Sequence, residues 1–218
     1  MELTVFKREN DFYKRMLAIA IPITLQNLIT IGINMADTMM LGSLGEVALS
    51  ASALANQFSF IFLVIHFGLA GGAGVLTGQF WGKGDKESAE QTLGNCFTTQ
   101  IVVSLLLTLI LFTGNKSFLM AFGASENTIP YAVAYMNIYS LGTIFVQLTL
   151  GMNAFITAQG FAKTSMLSVL VGAASNIILD PIFIFALHMG VRGAALATIV
   201  SQALSCTWVL HFLMGKKS

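Results

Sequence analysis

Leu167-Ser-Val-Leu-Val-Gly-Ala-Ala-Ser-Asn176-Ile-Ile-Leu-Asp180-Pro181-Ile-Phe-Ile-Phe-Ala186 carries one charge in its whole length. About 20 apolar residues in a helix cross the roughly 30 Å hydrocarbon core of a bilayer. The run therefore reads as a membrane span, not as the core helix of a soluble domain. Asp180 is its anomaly. A carboxylate at mid-depth costs about 3 kcal/mol or more, so ion or proton handling is the default reading of such a group.

The rest of the chain repeats the pattern. Its 218 residues are 56% hydrophobic and only 10% charged, where soluble domains carry about 25%. Mean hydropathy is +0.78. This composition predicts an all-α integral membrane protein with six spans and no sizeable soluble domain. The expected spans are 15–41, 47–81, 88–113, 128–158, 163–188 and 191–214. Glycine-containing breaks separate them: Gly42–Gly45, Trp81–Asp85, Gly114–Lys116 with a turn near Gly123, Gln159–Lys163 and His188–Gly190. Residues 1–14 form a polar N-terminal segment that is too long for a cleaved signal peptide. Residues 215–218 read as the start of a linker.

Charge sets the orientation. Lys7, Arg8, Lys14, Arg15, Lys83, Lys86, Lys163, Lys216 and Lys217 fall on one side of a six-span arrangement. Only Lys116 and Arg192 fall on the other. Cytoplasmic segments carry the excess of Lys and Arg, so both termini are expected in the cytoplasm and the protein in the plasma membrane. A net charge of +1 gives no reason to expect a nucleic-acid partner. Cys96 and Cys206 have no pairing or metal spacing and read as small apolar helix residues. His66, His188 and His211 are scattered, and no metal site beyond a monovalent cation is expected.

The candidate site is assembled from polar groups inside spans. Asp37 lies near the outer end of the first helix, a turn before Gly42. Asn176 and Asp180 are four apart and share one helix face. Pro181 removes an amide donor and frees a carbonyl a turn earlier. Thr198 and Asn153 are polar residues of the sixth and fourth helices expected at the same cavity. Carboxylate, amide, hydroxyl and carbonyl oxygens suit Na⁺, and a carboxylate alone suits a proton. Gly68/Gly72 and Gly74/Gly78 are GxxxG spacings that read as close helix packing.

Several motifs, in order, resemble the N-terminal half of a multidrug and toxic compound extrusion (MATE) transporter. They are Ala20-Ile-Pro22, Asp37-Thr-Met-Met-Leu-Gly42-Ser-Leu-Gly45, Gln79-Phe-Trp-Gly82-Lys-Gly84-Asp85, Ala158-Gln159-Gly160, Asn176 to Pro181, and Gly190-Val-Arg-Gly193-Ala-Ala-Leu-Ala-Thr198. The resemblance covers the whole chain. It implies a six-helix lobe of a twelve-helix transporter that expels cationic or amphipathic drugs in exchange for Na⁺ or H⁺, with no cofactor. It also implies a cation site at Asp37, Asn176, Asp180 and Thr198, and a further cavity residue at Asn153. Tyr135 and Tyr139 become candidates for the cavity wall, and Pro22 for the bend of the first helix. Membrane lipid and a second lobe are the implied partners. The chain is then expected to be a fragment or truncated frame, with a homodimer as the alternative.

Three other functions compete. A lipid-linked sugar flippase of the same superfamily needs a basic cavity, and the expected spans hold no Lys or Arg. An intramembrane aspartyl protease would use two aspartates, but Ile178-Leu179 stand where its glycine motif belongs, so no enzyme is expected. A non-transporting membrane assembly module predicts no ion dependence.

Overall fold

A computed structural model describes residues 2–215, with side chains from Phe12 onward, Ser59 apart. Lys216 and Lys217, counted in the charge reading, lie outside the described residues, as do the side chains of Lys7 and Arg8. The elements are α1 (Glu2–Gly42), α2 (Glu46–Gly82), α3 (Lys86–Ala121), α4 (Ile129–Ala158), α5 (Ala162–Pro181), a π-helical turn (Ile182–Ala186) and α6 (Val191–Gly215). All six α-helical segments are long and apolar enough to cross a membrane, α5 together with its π turn. No strand occurs among the described residues.

Local chemistry ends the helices where the breaks were expected, with three corrections. At Gly84 and Gly160 the backbone takes φ of 78° and 90°, a conformation that costs a side-chain-bearing residue but not glycine. Asp85 then caps α3 by accepting from the Ser88 amide at 3.0 Å, as an N-cap carboxylate does. The first correction is at Gly114–Lys116. α3 runs through it to Ala121, because one glycine costs only about 1 kcal/mol in a helix, and the chain turns instead around Gly123. The second is at the N-terminus, where α1 begins at Glu2 and not at the expected 15. The third is in α5, whose regular part stops at Pro181 before the π turn.

α4 is the central helix. It packs against α2, α3 and α6, while α1 rests mainly on α5. Apolar side chains on the rim, such as Leu105 and Leu109 of α3, are exposed, as expected for a surface solvated by lipid. Among helices in lipid, close packing replaces the hydrophobic drive. Gly142 on α4 meets Ile199 of α6 with no room for a methyl group. Of the α2 glycines, Gly74 and Gly78 face Ala154 and Ala158 of α4, whereas Gly68, Gly71 and Gly72 face no other helix of the chain. Only the second of the two expected GxxxG pairs is a packing contact here.

Candidate functional site

One face of α5 carries Ser165, Ser168, Gly172, Asn176 and Asp180, all buried. Spacings of three and four keep them on one stripe. Ile177 and Ile178, on the opposite face, are exposed. α1 lies along the stripe and contributes Gln26, Thr30, Asn34 and Asp37 to the same space. α4 and α6 close it with Asn153 and Thr198. The result is a cavity of about 360 Å³, lined from α5 by Val169, Gly172, Ala173 and Asn176, with Asp180 behind this wall and against Asp37.

Asp180 is 1% exposed and Asn176 4%. The carboxyls of Asp37 and Asp180 face one another across α1 and α5. The Asn176 amide lies beside Asp180 but makes no hydrogen bond of good geometry to it. Asp37 Oδ1, both Asp180 oxygens and both Asn176 side-chain atoms are buried without a protein hydrogen-bond partner. Buried polar atoms are almost always paired, so this concentration of orphaned oxygens marks a place built for something other than helix packing. Thr198 lines the cavity while its hydroxyl donates to the Ala194 carbonyl at 3.0 Å, which leaves its lone pairs free.

The structure brings Asp37, Asn176 and Asp180 together, with Thr198 and Asn153 lining the same cavity, Asn153 toward its other end. Asn153 is also bonded between helices, accepting from the Ser168 hydroxyl at 2.9 Å. Tyr135 and Tyr139 stack with centroids 6.1 Å apart and line an adjoining cavity of about 420 Å³ that also reaches Asp37 and Thr198. Pro181 adjoins Asp180 and has no amide hydrogen for the Ile177 carbonyl. Pro22 is buried inside α1, fifteen residues from Asp37 and outside the cavity walls. His66 is buried elsewhere, bonded through Nδ1 to the Phe62 carbonyl at 2.8 Å and through Nε2 to Ser104 at 3.2 Å.

Sequence reasoning passed over Gln26, Thr149, Ser201 and Ser205, which line the same cavity. The signal was present for two of them. Ser201 and Ser205 follow Thr198 by three and seven residues, on its helix face.

The family model MatE matches residues 22–182. The multidrug export protein MepA of Staphylococcus haemolyticus is 28% identical over 217 residues, covering 99% of this chain and 48% of that protein. A FAD transporter of Shewanella oneidensis is 24% identical over 205 residues, 92% of this chain and 45% of its own length. A solved outward-facing multidrug resistance MATE transporter of the MOP superfamily superposes with a TM-score of 0.89 at 25% identity, over 94% of this chain and 46% of that one. The chain spans about half the length of the curated relatives it matches. The relatives are transporters, not enzymes.

Proposed function

Since the chain belongs to the MatE family, we propose that it supplies the ion-binding lobe of a cation-coupled exporter. The lobe comprises residues 15–214, with 1–14 as a cytoplasmic segment and 215–218 as the start of a linker. The coupling ion is Na⁺ or H⁺, and the exported compounds are cationic or amphipathic. A second six-helix lobe completes the transport cavity. The observation that carries this reading is the pair of facing carboxyls with orphaned oxygens, Asp37 and Asp180.

Two bare carboxylates in contact repel, and a proton or a monovalent cation between them relieves the repulsion. Asn176 and Thr198 add neutral oxygens to that position. Occupation draws α1 onto α5; release frees α1, whose interior Pro22 lacks one helix hydrogen bond. Movement of α1 alters the wall formed by Gln26, Asn34 and Asp37. A cationic substrate competes for the same negative pair, so ion and substrate exchange. Tyr135 and Tyr139 offer aromatic faces to an organic cation. Both termini are placed in the cytoplasm, and the protein in the plasma membrane, on the strength of the Lys and Arg distribution. Against a flippase for a lipid-linked pyrophosphate stands the cavity lining, which contains the Asp37 carboxyl and no Lys or Arg.

The test is dye efflux in efflux-deficient cells that express this chain with and without a second MatE lobe. Accumulation of a cationic dye falls only when both lobes are present, and Asp180→Asn restores it at equal expression. Undiminished, equally ion-dependent efflux by Asp180→Asn overturns the reading.

A further inference from the structure

Below the carboxyl pair the cavity does not end. Toward the other end of the bundle it is lined by Thr149 and Asn153 of α4, Gly172 of α5, and Ser201 and Ser205 of α6. Ser168, eight residues before Asn176, lies about 12 Å further along the α5 axis. This lower level is therefore separate from the pair, and its side chains form a distinct chemical set.

The set is held together by Ser168. Its hydroxyl shares one hydrogen between the Ser165 carbonyl at 2.7 Å and Asn153 Oδ1 at 2.9 Å, and its carbonyl accepts from the Ser205 hydroxyl at 2.8 Å. Asn153 and Ser205 are thus anchored to one residue from opposite sides. Gly172 keeps the space open. A methyl group there would sit 3.4 Å from Ser205 Cβ and 3.6 Å from the Ser201 carbonyl, where glycine leaves a gap.

Two of the hydroxyl hydrogens are committed elsewhere. The Thr149 hydroxyl donates to the Phe145 carbonyl at 2.7 Å, as Ser205 does to Ser168. A hydroxyl whose hydrogen is engaged presents lone pairs to what remains. Ser201 is 1% exposed, and its Oγ has no hydrogen-bond partner. An orphaned hydroxyl this deep, lining a cavity that Thr149, Asn153 and Ser205 also line, points to a ligand. Hard neutral oxygens with free lone pairs accept a dehydrated alkali cation. None of them carries a proton that titrates near neutral pH. The nearby ionisable side chain on α6 is the Cys206 thiol, against Thr149; the cavity walls at this level from α1, α4 and α5 contribute none.

We infer that Thr149, Asn153, Ser201 and Ser205 form a second monovalent-cation position, selective for Na⁺ over H⁺, one to two helical turns beyond Thr198 along α6, about 5–10 Å. It rests on the reading of Asp37 and Asp180 as the first cation position. A Na⁺ ion released from the pair has a second set of oxygens to occupy inside the lobe, whereas a proton has none. The lobe is thereby fitted to Na⁺.

Equilibrium binding of radioactive Na⁺ to the purified chain in lipid nanodiscs tests this, with choline holding ionic strength constant. The native chain binds two Na⁺ at pH 8. Ser201→Ala with Ser205→Ala binds one, and that one is lost on acidification. Asp180→Asn also binds one, insensitive to pH between 5 and 8. Ser201→Cys with Ser205→Cys keeps the volume but removes the hard oxygens and gives the same loss as the alanine pair; two Na⁺ still bound by the cysteine pair would trace the alanine loss to packing and overturn the position. Asn153→Asp tightens the lower position at least tenfold and makes it pH-dependent. A native stoichiometry of one, unchanged by the serine substitutions and abolished by Asp180→Asn, overturns the second position and leaves the first intact. A stoichiometry of one that ignores Asp180→Asn and vanishes with the serines upholds the second position and removes Na⁺ from the first. No Na⁺ binding by the folded native chain overturns the inference.

Discussion

The carbonyl oxygen of Phe183 lies 2.6 Å from where a Cβ on Gly193 would stand, and the Ile184 amide nitrogen lies 3.0 Å from it. α6 therefore starts by resting its backbone directly on the π turn that follows Asp180. The contact is between main chains, so neither side gives way by changing rotamer. It fixes the start of α6, five residues before Thr198, against the end of α5, three residues after Asp180.

Gly193→Ala consequently forces α6 off the turn. Overpacking of this kind costs about 1–3 kcal/mol. The displacement also separates Thr198 from Asp180, so cation-dependent stabilisation weakens along with the fold. Melting curves of the purified chain in choline and in NaCl read both effects. An unchanged melting temperature with an unchanged Na⁺ response removes the pinning role.

Much of this arrangement was legible in the residues and part was not. Six spans followed from apolar runs, and the Asn176–Asp180 face followed from a spacing of four. The pairing of Asp37 with Asp180 came from family resemblance; periodicity on each helix says nothing about which distant helix it meets. The continuation of α3 through Gly114 was missed because a break residue was weighed without the apolar residues on both sides that keep it helical. The π turn was invisible because Ile182–Ala186 is uniformly apolar and its geometry is set by the contact with Gly193. The lower polar level was passed over because serines in membrane helices commonly bond back to their own helix, as Ser175 does to Val171.

The glycines of α2 and α4 should separate in a mutational series. Gly142→Ala drives a methyl group into Ile199 and costs about 1–3 kcal/mol. Gly68→Ala and Gly72→Ala meet no atom within 4 Å and leave stability unchanged or raise it by up to about 1 kcal/mol. Thermal unfolding in detergent distinguishes them. Equal losses at Gly68 and Gly142 contradict the packing described.

Gln100 is fully buried with both amide atoms unpartnered, its side chain pressed against Gly151. A buried orphan of this kind carries a desolvation penalty of about 1–3 kcal/mol. Gln100→Met conserves shape and removes the penalty, so the variant is expected to melt at a higher temperature. Destabilisation instead would show that the amide has a partner in the membrane.

Outside the membrane, the Ser88 hydroxyl and then the Ser88 amide hold the pKa of Asp85 below its ordinary 3.8. A carboxylate with a lowered folded pKa contributes stability that is complete above its unfolded pKa and lost as pH falls through the folded one. The cap is therefore constant from neutral pH to about 5 and fades below 4. Asp85→Ala lowers the melting temperature at pH 7 and flattens its acid dependence. Asp85→Asn, which still accepts from the Ser88 amide, recovers part of the loss. A native melting temperature that rises between pH 5 and 3 at this position opposes the sign.

The carboxyl pair yields opposite effects on stability and on ion response. Asp37 meets Asp180 rather than a loop amide, so its charge is not a helix cap. Asp37→Asn removes one of two facing negative groups and relieves their repulsion in the absence of a cation. The variant is expected to melt higher than the native chain in choline at pH 8, by an amount of order 1 kcal/mol. It loses the pH-dependent part of the Na⁺ stabilisation, because one carboxyl and an amide no longer need a cation between them. Asp180→Asn does the same, and the double variant matches either single one, since groups that act as a unit are not additive. Melting temperatures in choline and NaCl, at pH 5 and 8, supply all the comparisons. Should Asp37→Asn melt lower in choline while keeping the full Na⁺ response, Asp37 is a structural group and the cation position rests on Asp180 alone.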